Sequence, residues 1–291
     1  MKTAFIGLGV MGYPMAGHLA NQEDLEVTVY NRTSEKAREW RRTYPGIHAG
    51  TIAEAVSGVD AVITCVGADP DLRALYTGKE GIFANAPEGT LLIDHTTASA
   101  TVTRELAEIA SERNQHWVDA PVSGGQQGAE NGQLTIMCGG PRRAFDRASP
   151  ILECYARVAH YMGPVGNGQL TKMVNQITIA GLLEGLAEGI HFAEEAGLDT
   201  QAVIGAISGG AAQSWQMENR ADTMIAGAYN HGFAVDWMRK DLDICLSEAR
   251  KSGASLPAAA LIDQFYSDVQ ALGGGRWDTS SLLERLRDRA S

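Results

Sequence analysis

Six residues near the start of the chain, Gly7-Leu8-Gly9-Val10-Met11-Gly12, spell GxGxxG. They follow a short apolar run, Thr3–Gly7, and open a helical pattern over Met11–Asn21. The spacing alone is a weak signal in a chain with 33 glycines; its place between a strand and a helix constrains the fold. The first glycine makes the tight turn, the second admits a pyrophosphate close to the backbone, and the third lets helix and strand pack closely. The helix N-terminus then offers N–H groups and a positive dipole end to phosphates. The competing reading is an ordinary strand-to-helix turn, and the context favours the dinucleotide site.

Beyond this motif, strand and helix patterns alternate. Strand patterns at Leu25–Tyr30, Ala61–Val66, Thr90–Asp94, Trp117–Ala120, Leu134–Cys138 and Val158–Met162 are separated by helical ones at Ser34–Arg42, Asp69–Tyr76, Ala100–Arg113 and Arg142–Leu152. Such alternation predicts right-handed βαβ units and a doubly wound, mostly parallel sheet covered on both faces, a Rossmann domain. Near Gly163-Pro164-Val165 the pattern changes. From Gly168 to about Gly197 runs one helical stretch with a wide apolar stripe: Leu170, Met173, Val174, Ile177, Ile179, Leu182, Leu183, Leu186 and Ile190. Its breadth predicts deep burial. Helical patterns continue at Gln201–Ile207, Trp215–Gly227, Val235–Ser252, Ala258–Leu272 and Ser280–Arg289. The expected organisation is an α/β domain over 1–163 and an all-α domain over 164–291, joined by the long helix.

Composition narrows the function. The 291 residues are 44% hydrophobic and 20% charged, with a net charge of −11, values of a globular chain that repels phosphate backbones and anionic lipid. No nucleic-acid or membrane partner is expected, and no apolar run approaches the roughly 20 residues of a bilayer span. The N-terminus lacks the features of a signal peptide. Cys65, Cys138, Cys154 and Cys245 are far apart, with no CxxC pair and no zinc spacing. The expectation is reduced thiols, a cytoplasmic protein and no metal site.

Several segments carry chemistry. After the second strand stands Tyr30-Asn31-Arg32-Thr33-Ser34, where an NAD site usually places a carboxylate. Arg32 can pair with a 2′-phosphate, and Asn31, Thr33 and Ser34 can hydrogen-bond to it, so NADP is favoured over NAD, with NAD still possible. The alternative is a solvated Arg32 at a helix start. Val66 and His95-Thr96-Thr97 follow the third and fourth strands, where loops line the ligand crevice. His95 reads as a structural partner. Ser123-Gly124-Gly125 can present N–H groups and a hydroxyl to a substrate carboxylate, or be a plain glycine-rich loop. Lys172 sits one turn inside the long helix, with Asn175 and Gln176 at i+3 and i+4 on its face. A partly desolvated Lys172 is a candidate general acid/base; a snorkelling lysine is the alternative. Lys240, in Lys240-Asp241-Leu242, either reaches the crevice or lies on a solvated face.

FIGLGVMGYPMAGHLA, DAPVSGG, GAENGQLTIMCGG, GPVGNGQLTKMVNQ and the late KDL occur in one order across nearly the whole chain. In this the chain resembles the β-hydroxyacid dehydrogenases, the group of 3-hydroxyisobutyrate dehydrogenase, tartronate semialdehyde reductase and the succinic and glyoxylic semialdehyde reductases. The resemblance implies Lys172 as the catalytic acid/base and Ser123, Gly124 and Gly125 as holders of a small carboxylate substrate. It implies Thr97 and Lys240 near the cofactor, and a homodimer or homotetramer. Many members carry Lys-x-x-Asn-Asn. Here Lys172-x-x-Asn175-Gln176 leaves open which amide acts. The implied reaction moves a hydride between NADP(H) and a short β-hydroxy acid or semialdehyde. Alternatives are an imine-reductase relative, 6-phosphogluconate dehydrogenase-like chemistry and a non-catalytic dinucleotide sensor. Substrate choice is expected to rest on residues such as Ala211, Gln213, Trp215 and Met238, with Trp215 narrowing the pocket.

Overall fold

The structure, a computed structural model, describes residues 1–290; Ser291, the last residue of the expected second domain, lies outside them. The chain forms two compact units, Met1–Lys172 and Met173–Ser291, and the break falls within one helix, Asn167–Glu195.

The first unit is built on nine strands: β1 Lys2–Ile6, β2 Glu26–Tyr30, β3 Ile47–His48, β4 Ala61–Thr64, β5 Leu91–Asp94, β6 His116–Asp119, β7 Val122–Ser123, β8 Leu134–Gly139 and β9 Ala156–Gly163. They lie in the order β3-β2-β1-β4-β5-β6-β8-β7, with β9 on β8. Pairing is parallel from β3 through β6. It is antiparallel where β8 meets β6 and β7, and parallel again at β9. The order reverses at β1 and β4, so the crevice at the carboxyl ends of these strands is the ligand position of a doubly wound sheet.

The central strands are short and continuously apolar because both faces are covered. Phe5, Val27, Val29, Ile63, Leu91 and Ile93 pack on one side. Ala4, Ile6, Val62, Leu92 and Trp117 pack on the other. Helix Ser34–Thr43 buries only Ala37 and Trp40, which suits its charged sequence. Several elements are too short to leave a pattern: β3, β7, and helices Ile52–Val56 and Ile82–Asn85. Helix Gly125–Glu130 interrupts what reads as a glycine-rich loop.

The second unit is helical: Thr200–Ile207, Trp215–Ile225, Val235–Ser252, Pro257–Ala271 and Leu282–Ala290, beside the distal part of Asn167–Glu195. Its core gathers Leu183, Ile190, Met217, Met224, Met238, Leu242, Tyr266 and Leu282. The deep burial expected of the long apolar stripe holds for part of it. Met173, Leu183, Leu186 and Ile190 are buried, but Val174 is 64% exposed and Leu182 41%. The stripe spans two faces of the helix, and one face alone meets the unit's own core.

Candidate active site

The glycine loop comes first. Gly7 has φ +100°, and a Cβ there would collide with the Cys65 carbonyl; a Cβ on Gly12 would collide with the Gly7 carbonyl. Both glycines are therefore demanded by the protein's own backbone. Gly9 differs, since a Cβ there would meet nothing within 4 Å. Its smallness leaves room outside the backbone, as a pyrophosphate requires. Helix Gly12–Ala20 has no side-chain cap at its N-terminus, so its first N–H groups suit an anionic ligand. Val10 is exposed and Met11 half-buried.

The residues after β2 divide. Asn31 is committed to backbone: its Oδ1 accepts the Leu8 N–H at 2.9 Å, and its Nδ2 donates to the Thr33 carbonyl at 2.9 Å. It ties the glycine loop to the start of the next helix. Arg32 points outward, its side chain 91% exposed, with Asp71 at 3.5 Å. Thr33 is the N-cap of helix Ser34–Thr43.

The loops after β4 and β5 are tied together. The Val66 N–H donates to Thr96 Oγ1 at 3.0 Å. The Thr96 N–H donates to Asp94 Oδ1 at 3.2 Å, and Thr64 Oγ1 donates to the same oxygen at 2.7 Å. Burial pushes the Asp94 carboxyl up to about 7. Thr97 is half-buried in this loop. His95 Nδ1 donates to the Ala120 carbonyl at 2.6 Å, and its Nε2 accepts from Tyr155 at 2.8 Å. Burial holds this imidazole down at about 4, neutral at physiological pH.

Around β6 and β7 the unit meets the start of the long helix. Asp119 Oδ1 accepts the Gly166 N–H at 2.8 Å, and Oδ2 accepts the Gln169 N–H at 3.1 Å. A carboxylate thus caps this helix N-terminus. Lys172 is 8% exposed, and its Nζ donates to the Val122 carbonyl at 2.8 Å. The next residue is Ser123, half-buried, followed by the exposed turn Gly124-Gly125 at φ +130° and +61°.

In the second unit, Asn175 Nδ2 donates to Gln176 Oε1 at 2.7 Å, and Gln176 Nε2 donates to Asp241 Oδ2 at 2.7 Å. Lys240 Nζ lies 3.0 Å from Asp241 Oδ1. Gln176 is 2% exposed and Asn175 half-buried. One buried carboxylate therefore joins Lys240 to both amides. Within the first unit, the structure brings Lys172 beside the Ser123 turn and Val66 beside the Thr97 loop. Arg32 stays at the rim. Spacing did not single out Asp94, Asp119 or Gln169. Among the described residues, no group of His, Cys, Asp or Glu is placed to hold a metal ion, and no helix is long and apolar enough to cross a membrane.

A glycine loop at the switch point of such a sheet, before a helical second unit, defines a dinucleotide-binding protein of the dehydrogenase class. Residues 2–163 match the family described as the NAD binding domain of 6-phosphogluconate dehydrogenase. Residues 166–286 match the one described as the NAD-binding of NADP-dependent 3-hydroxyisobutyrate dehydrogenase. An uncharacterized oxidoreductase of Shewanella frigidimarina is 60% identical over 100% of this chain and 99% of its own. The 2-hydroxy-3-oxopropionate reductase of Escherichia coli is 32% identical, covering 98% of this chain and 97% of its own. The structure of Mycobacterium tuberculosis 3-hydroxyisobutyrate dehydrogenase with L-serine superposes with a TM-score of 0.89 at 29% identity, covering 98% and 99% of the two chains. The chain belongs to the β-hydroxyacid dehydrogenase family, oxidoreductases that use a nicotinamide dinucleotide.

Proposed function

We propose that the protein interconverts a short β-hydroxy acid and its semialdehyde or keto form, with NADP(H) preferred. The observation that carries this reading is Lys172, a buried ammonium held at 2.8 Å on the carbonyl of Val122, one residue before the Ser123 turn. A proton donor held against the backbone that leads into a carboxylate-binding turn suits a substrate with both a carbonyl and a carboxylate. The nicotinamide, when bound, supplies or accepts the hydride. Lys172 Nζ protonates the carbonyl oxygen in reduction and takes the hydroxyl proton in oxidation. The hydroxyl of Ser123 and the N–H groups of Gly124 and Gly125 hold the carboxylate. Asn175 is the amide that faces substrate; Gln176, whose two ends are taken by Asn175 and Asp241, holds it in place. Gly7 through Gly12, Val66, Thr97 and Lys240 hold the cofactor. Arg32 supports the preference for NADP, being exposed at the end of β2 with no carboxylate on Asn31 or Thr33.

We place a second copy of this chain against the exposed side of the long helix, where Val174, Leu182 and Phe192 are exposed, Phe192 to 71%. The setting is cytoplasmic, as four free cysteines favour.

The test is initial rates on 3-hydroxyisobutyrate, 3-hydroxypropionate, serine and glycerate, and on tartronate, succinic and glyoxylic semialdehydes, with both cofactors. Lys172→Ala should lose about 10²- to 10⁴-fold in turnover while still binding NADPH. Arg32→Ala should weaken NADPH about tenfold and leave NADH unchanged. Turnover undiminished in Lys172→Ala would sink the proton-transfer role; equal binding of both cofactors by the unaltered protein would sink the NADP preference. Light scattering would settle the oligomer, a monomer refuting it.

A further inference from the structure

Gln169 lies in the first turn of helix Asn167–Glu195 and is fully buried. Its Nε2 donates to the Thr96 carbonyl at 2.7 Å, and its Oε1 accepts the Ala98 N–H at 3.0 Å. Its own N–H is held by Asp119. Thr96 in turn receives the Val66 N–H. One side chain thus joins the loop after β5, and through Thr96 the loop after β4, to the helix that carries Lys172 three residues on. Those loops line the crevice where a dinucleotide lies across the sheet edge.

We propose that Gln169 is a positioning residue that sets Lys172 against the cofactor-lining loops, an inference that rests on the role given to Lys172 above. An amide suits the task because it offers one donor and one acceptor side by side, matched to a carbonyl and an N–H two residues apart. Leucine would fill much of the same space and leave both backbone groups unpaired in the interior. Glutamic acid reproduces the pair only when protonated: its carbonyl accepts from Ala98 and its O–H donates to Thr96. Ionised, it sets an acceptor against the Thr96 carbonyl. The groups around it are Asp119 from β6, Asp94 and His95 from the end of β5, and Lys172 on its own helix. Burial and the two carboxylates raise the pKa of an acid placed here, while Lys172 opposes them.

The experiment compares Gln169→Glu and Gln169→Leu with the unaltered protein from about pH 5.5 to 8.5, reading turnover, the NADPH dissociation constant and Tm. The ratio of Gln169→Glu turnover to that of the unaltered protein should fall by about tenfold or more as pH rises, because small misplacements of reacting groups are costly. Its relative NADPH dissociation constant should rise in step. Gln169→Leu should be impaired at every pH; if it does not fold, Gln169→Glu decides alone. A residue with only a structural duty would lower Tm and leave both ratios flat in the folded protein, and that outcome overturns the proposal. NADPH binding is read without a carbonyl substrate, so failure to find a substrate counts against the Lys172 reading, and a flat binding ratio against this one.

Discussion

Asp94 and Glu184 are the same chemistry in two settings. Each is a buried carboxyl, one per unit, and burial pushes each up to about 7. Asp94 meets neutral donors, the Thr64 hydroxyl and the Thr96 N–H. Glu184 meets Arg285 at 2.7 Å, whose guanidinium also lies over the Phe265 ring at 3.7 Å. Asp94 holds the backbone of the loop after β5. Glu184 clamps helix Asn167–Glu195 to helix Leu282–Ala290. The difference predicts which losses fall on function and which on stability alone.

The largest expected effect is on stability. Arg285→Met leaves Glu184 buried without its cation and should cost about 3–5 kcal/mol in denaturant unfolding. Glu184 then prefers its protonated form still more, so its folded pKa rises further above the unfolded value. Stability is lost as pH rises through that pKa, and the deficit should be larger at pH 8 than at pH 6. NADPH affinity of the folded variant should stay within about twofold, because the clamp joins two helices of the second unit and the glycine loop belongs to the first. A weakened cofactor site would erase the contrast between the units.

Asp94 gives the next effect. Its folded pKa lies above the unfolded value, so the folded state binds the extra proton between about pH 4 and 7. Stability is full below that window and falls as pH rises through it. Asp94→Asn cannot ionise and keeps an oxygen for Thr64 and Thr96. Between about pH 5 and 8 the unaltered protein should lose about 2–3 kcal/mol more than this variant. Parallel pH curves for the two would show that Asp94 is ionised in the fold at neutral pH.

These contrasts mark where sequence reading stops. The strand runs Ala61–Thr64 and Leu91–Asp94 and the helices Arg142–Leu152 and Val235–Ser252 were legible because their period or apolarity is local. Gly12 is legible because its demand is set by the nearby Gly7 carbonyl, and Gly7, pressed by the Cys65 carbonyl at the end of β4, is legible only through its place in the motif. The scaffold behind the site was not. Gln169 meets Thr96 across 73 residues, and Asp119 meets Gln169 across 50. No spacing rule reaches that far, since only the sheet order brings β5, β6 and the long helix together. Asn31 shows a subtler limit. Its residue type suits a phosphate, and its amide also holds Leu8 and Thr33, a use set by the fold of the loop. Which face of the long helix is exposed is not legible, because apolarity alone does not say how many partners a helix has.

The smallest effect tests whether burial, not pairing, makes the Glu184 clamp strong. Arg73 and Glu105 form a pair with more hydrogen bonds, three of 2.8 to 3.1 Å where Glu184 and Arg285 make one, on the surface of the first unit. Both side chains are 43% exposed. The pair draws the Glu105 carboxyl below its ordinary range through the Arg73 hydrogen bonds. Water screens such a pair, and two long side chains lose freedom to form it. Glu105→Gln should therefore cost less than about 1 kcal/mol, and salt should shrink that further. A loss comparable to that of Arg285→Met would mean that hydrogen-bond geometry outweighs burial in this protein. The contrast between the two units would then rest on the number of donors a carboxylate meets and not on where it lies.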